Sequence, residues 1–75
     1  MTKEAQSDFL IQNAINKMTE FLIEDYKLPV TEAMNIVYNS ETLNILQNKE
    51  TELFIQSPAY IYELLKEEYL NGKIA

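Results

Sequence analysis

Residues 57–72, SPAYIYELLKEEYLNG, carry a start signal and a stop signal that leave one structure open to the stretch between them. The Ser57 hydroxyl can accept from a free amide of a first helical turn, and Pro58 suits the first helical position, where a missing amide costs nothing. At the far end Asn71-Gly72 offers a left-handed stop, with Lys73 as a cation suited to a helix C-terminus. The enclosed Ala59 to Leu70 follows helical periodicity. At 100° per residue, with Ala59 at zero, Tyr60, Leu64, Ile61, Leu65, Tyr69 and Tyr62 fall between about 100° and 300°. Glu63, Lys66 and Glu67 fall outside that arc. Glu68 breaks the pattern, projecting at about 180°, near the middle of the apolar face. Gly72 is the only glycine, so the one Asn-Gly pair ends a helix instead of turning a hairpin. No stretch alternates cleanly between apolar and polar residues, and the expected fold class is all-α.

The rest of the chain reads the same way. Residues 3–27 form the longest helical pattern. With Phe9 at zero, Leu10, Phe21, Ala14, Met18, Ile11, Leu22, Ile15 and Tyr26 occupy about 100° to 260°. That stripe is wide enough to be gripped by two neighbouring helices. Two large apolar residues lie off it, Phe9 near 0° and Ile23 near 320°, and they mark either covered helix ends or a contact with another molecule. Lys27-Leu28-Pro29 closes the pattern, since proline disfavours helical geometry in the residue before it. A short second helix begins near Pro29, with Glu32 early, where the macrodipole favours a carboxylate. Its inner face is assigned to Ala33, Met34, Ile36 or Val37, and Tyr38. Ser40 caps a third helix, TLNILQN, with Leu43 and Leu46 inward. Residues 47–50 read as a loop, and Thr51 as the cap of one turn presenting Leu53, Phe54 and Ile55. The expectation is one domain over residues 1–75, a compact bundle of four to five helices, long first and last and short between.

A chain of 75 residues without cysteine or histidine has neither a disulfide nor a zinc site to staple it. Its stability, about 4–11 kcal/mol by typical scaling, must come from helix packing or from association. No apolar run approaches a membrane span, and the opening MTKEAQSD lacks the layout of a signal peptide. The expected location is the cytoplasm, with no membrane partner. Twelve acidic residues against six lysines, with no arginine, leave a net charge of −6. Nucleic-acid affinity comes chiefly from neutralising phosphates, and base readout leans on arginine, so no direct nucleic-acid binding is expected.

The inventory also excludes most catalysis. Without histidine or cysteine there is no nucleophile–imidazole pair, no HExxH and no thiol redox pair. One glycine builds neither a P-loop nor a dinucleotide fingerprint. Neither a Glu-x-x-His pair nor a calcium loop is present. No catalytic residue, cofactor or metal ligand is assigned, and the chain is expected not to be an enzyme. Glu63 and Glu67 share a solvated face with Lys66. Glu68 is the one carboxylate that points inward, and if buried it needs a lysine or tyrosine hydroxyl as partner. Tyrosines suit both half-buried rims and interfaces. Tyr62 and Tyr69, seven apart at one edge of the stripe, are the pair most suited to outward presentation. With Phe9 and Ile23 they form the candidate interaction surface.

DYKLPVTEAMNIVYNSETLNIL and ETELFIQSPAYIYELLKEE resemble small bacterial all-helical proteins known only as domains of unknown function. The resemblance lies in Glu32 to Met34, Tyr38 to Ser40, and Ser57, Pro58, Tyr60 and Glu63 to Leu65. It implies a bacterial helical domain with no assigned reaction, and transfers no functional residue. Some such proteins look like small partners in toxin–antitoxin-like pairs. The leading expectation is therefore a non-enzymatic protein–protein interaction module, either a homodimer or a partner to another protein. The alternative is an acidic, antitoxin-like regulator that neutralises a basic partner, which would gather its carboxylates into one patch.

Overall fold

The computed structural model describes residues 3–72, and the side chains of residues 6–72. Lys73, the cation expected at the last helix end, lies outside the described residues. The elements are α1 (Lys3–Tyr26), α2 (Val30–Tyr38), α3 (Glu41–Gln47), two 3-10 turns (Lys49–Thr51 and Leu53–Ile55) and α4 (Pro58–Asn71). No strand occurs among the described residues. The chain is an all-α bundle with long first and last helices and short ones between, as the periodicity predicts.

Helix α1 sets the dimensions. Its 24 residues rise about 36 Å, close to the 37 Å long axis of the molecule. Ile11, Ala14, Ile15, Met18 and Leu22 form its buried row. The other elements fold back on this row, contributing Ala33 and Val37 from α2, Leu43 and Leu46 from α3, Leu53 from the second 3-10 turn, and Ile61, Tyr62 and Leu65 from α4. The nine residues of α2 and fourteen of α4 rise only about 14 and 21 Å, so they cannot cover α1 along its length. Leu10, expected on the inner stripe, is partly exposed for that reason.

The caps predicted at Ser57, Gly72 and Ser40 form. The Ser57 hydroxyl accepts from the Tyr60 amide at 3.2 Å, and Gly72 stops α4 at φ 80°, its amide donating to the Glu68 carbonyl. The Ser40 hydroxyl accepts from the Leu43 amide at 3.1 Å and donates to the Val37 carbonyl at 2.6 Å, locking the end of α2 to the start of α3. Two joints differ from expectation. Helix α1 ends at Tyr26, and Lys27 takes the left-handed conformation (φ 55°) that starts the return into α2. The stretch read as a loop over residues 47–50 tightens into the first 3-10 turn, with the Asn48 side chain accepting from the Glu50 amide. Thr51, expected to cap the second turn, instead ends the first: its hydroxyl accepts from the Leu53 amide at 3.3 Å, but the cap position belongs to Glu52, left-handed at φ 56° and without a side-chain cap bond.

Candidate interaction surface

The two seams along α1 are built differently. On the α4 side, the ring of Phe21 meets that of Tyr62 with centroids 5.0 Å apart, and Tyr26 meets Tyr69 at the same distance. The Tyr62 hydroxyl donates to the Asp25 carboxylate at 2.6 Å. Burial first, and the adjoining carboxylate second, push the Tyr62 hydroxyl well above its ordinary pKa. These contacts correct the expectation that Tyr62 faces outward: it is 6% exposed and belongs to the core. Tyr69 retains an exposed edge, but its ring is engaged by Tyr26. The two tyrosines do not form one outward pair.

Glu68 does point inward, and its target is a helix end. Oε2 accepts from the Glu41 amide at 2.8 Å, while Oε1 accepts from the Thr42 amide and the Thr42 hydroxyl, each at 2.9 Å. A carboxylate from α4 thus satisfies two of the amides that α3 cannot pair internally and sits at the positive end of its dipole. The expected lysine or tyrosine partner is replaced by backbone amides and a threonine. Both oxygens are occupied, which makes Glu68 a tertiary helix cap.

The α2 side is open. Val30, Met34 and Tyr38 are 57%, 41% and 49% exposed, and their i, i+4, i+8 spacing aligns them as one ridge. Opposite them on α1 stand Ile15, Thr19 and Ile23, with Asn16 and Glu20 at the edge. Together these residues line a groove of about 290 Å³. Met34 and Tyr38 were expected on the inner face of α2. The structure corrects this, because α2 fully buries only its Ala33–Val37 line, with Ile36 packed partly against the core, and its apolar arc is wider than its neighbours cover. That excess width, present in the sequence, is the signal that would have found the ridge.

Ile23 lies in this groove, half-buried, while Phe9 stands further along α1 at 70% exposure. The four candidate interaction residues therefore divide: Phe9 and Ile23 belong to the open side of α1, Tyr62 and Tyr69 to the seam with α4. A second cleft, of about 460 Å³, lies where Leu10, Phe54 and Ile55 meet Lys49 and Glu52. Lys49 is tied there to Asp8 of α1 at 3.1 Å. Among the described residues, no group of three or more acidic side chains is placed to hold a metal ion, and no helix is long and apolar enough to cross a membrane. No protein-family model, curated protein or solved structure matches the chain.

Proposed function

We propose that the chain is a non-enzymatic, cytoplasmic protein-interaction module whose working face is the groove between α1 and α2. The observation that carries this reading is the exposed ridge Val30–Met34–Tyr38 facing Ile15 and Ile23. Burying apolar surface stabilises by about 25 cal/mol per Å², and a chain this small has little stability to spare. Three apolar side chains left in water are explained if something else covers them. A groove between two helical ridges is the shape that receives a third helix.

The acidic-regulator alternative called for carboxylates gathered on one side. Exposed acids instead occur on all four α-helices and around the first 3-10 turn, at Asp8, Glu20 and Glu24, Glu32, Glu41, Glu50 and Glu52, and Glu63 and Glu67. The distribution favours the apolar face over a charged one.

Replacing Met34 with a photo-crosslinking amino acid in living cells tests the proposal. A discrete protein adduct is expected, with none from the same group at exposed Gln47 on α3. No adduct at Met34, or equal labelling at both positions, would overturn it.

A further inference from the structure

We infer that Asn71-Gly72 is a self-modifying site: the chain converts Asn71 to aspartate or isoaspartate without an enzyme, and the product loosens the hold of Glu68 on α3. Asn71 lines no part of the groove between α1 and α2, and its chemistry does not depend on what that groove binds. The reaction is intramolecular. The Gly72 amide nitrogen, having lost its proton, attacks Cγ of Asn71 and closes a five-membered succinimide ring, while the side-chain nitrogen leaves as ammonia. Water then opens the ring, at the new bond to give aspartate or at the original peptide bond to give isoaspartate. One ammonia leaves, one water enters, and nothing is oxidised or reduced.

The structure selects this asparagine from seven. Exposure does not separate them, since six of the seven are exposed. The difference lies in the amide that must attack. Asn13, Asn16, Asn35 and Asn44 lie inside α1, α2 and α3, where the next amide belongs to a continuing helix. The residues that follow them, Ala14, Lys17, Ile36 and Ile45, carry side chains that crowd the attack. Asn39 is held on both sides of the reaction: its side-chain amide donates to the Asn35 carbonyl at 2.8 Å, and the amide of buried Ser40 donates to the Val37 carbonyl at 3.2 Å. Asn48 Oδ1 accepts from the Glu50 amide at 3.1 Å, and Lys49 follows it.

Asn71 has none of these restraints. It is the last residue of α4, exposed, and its side chain makes no hydrogen bond among the described residues. Gly72 brings no side chain, and nothing stands within 4 Å of where its Cβ would be. One bond holds the attacking nitrogen, from the Gly72 amide to the Glu68 carbonyl at 2.7 Å, and a terminal helix bond is among the first to open. Aspartate at this position sets a new carboxylate four residues from Glu67 and three from Glu68, at the negative end of the helix, where like charges and the dipole both oppose it. Isoaspartate adds a methylene to the main chain and displaces the Gly72 amide. Either product unsettles the last turn of α4. That turn carries Glu68, whose carboxylate caps the Glu41 and Thr42 amides, so the change is felt at the start of α3.

Incubated at neutral pH and followed by peptide mapping, the chain should gain one dalton at Asn71 at least tenfold faster than at any other asparagine. An enzyme that methylates isoaspartate should label the same peptide. Asn71→Gln should remove the gain, because glutamine would have to close a larger ring. Gly72→Ala should slow it, although alanine at φ 80° itself loosens the helix end. Asn71→Asp, a stable copy of one product, should at least double the amide exchange rates of Glu41 and Thr42, while Asn71→Gln leaves them unchanged. No gain at Asn71, or conversion of Asn39 or Asn48 as fast as Asn71, would overturn the site. Unchanged exchange at Glu41 and Thr42 in Asn71→Asp would overturn the link to α3.

Discussion

The two sides of α1 carry similar apolar content and use it differently. Toward α4 the seam is closed: aromatic rings pair, a phenol is anchored on Asp25, and Ile61 and Leu65 are fully buried. Toward α2 full burial narrows to Ala33 and Val37, and the next row of side chains rises into water. The difference is one of reach. Fourteen residues of α4, held at their end by Glu68 on α3, follow α1 far enough to bury a full face. Nine residues of α2, turned in by Lys27 and locked out by Ser40, follow it for little more than two turns. The first seam is closed, and the second has surface left over.

Substitutions on the two sides sharpen that contrast. The largest effect is expected at Ile61→Ala on the closed side, a loss of about 2–5 kcal/mol, read as a lower urea midpoint with an unchanged slope. A cost below 1 kcal/mol there would mean that the α1/α4 seam is not the core. Glu68→Gln should cost about 1–2 kcal/mol, because the amide keeps one acceptor oxygen and loses the charge at the α3 N-terminus. Its fingerprint is faster amide hydrogen exchange at Glu41 and Thr42. Unchanged exchange at both would refute the helix cap.

Tyr62→Phe should cost about 1 kcal/mol through the lost bond to Asp25, and it also predicts a pH dependence. The hydroxyl's pKa is raised in the folded state relative to the unfolded one. The associated stability is therefore complete below about pH 10, the ordinary tyrosine value, and is lost as pH rises through the folded value. Above pH 10 the wild type should lose stability more steeply than Tyr62→Phe, and parallel curves would refute this. The smallest effect belongs to the open side. Met34→Ala, measured at concentrations too dilute for association, should change stability by no more than about 0.5 kcal/mol. A core-sized loss there would place Met34 in the fold and remove the case for the groove.

Much of the fold was legible in local signals. Ser40, Ser57, Pro58 and Gly72 act within four residues of their own positions, and the periodicity of α1 and α4 names most of the core. The candidate surface was only half legible. Phe9 and Ile23 stand out because they lie off a long stripe, and a stripe is a property of one helix. Met34 and Tyr38 were misplaced because apolar periodicity says which residues share a face but not how much of it a short neighbour covers. Tyr62 was misplaced for the converse reason: at the edge of its own helix, it is buried by Phe21 and Asp25 from α1, 41 and 37 residues away in sequence.

By itself the sequence determined the fold class, the helix boundaries to within a residue or so, and the absence of histidine, cysteine and glycine chemistry. These follow from hydrogen bonds, backbone preferences and composition that need no distant partner. Only the tertiary structure decided that Glu68 caps a helix and that Tyr62 closes a seam, because each depends on which helices come to lie side by side. It also decided which apolar ridge stays open. That outcome comes from the unequal lengths of α2 and α4 against the single long helix they share.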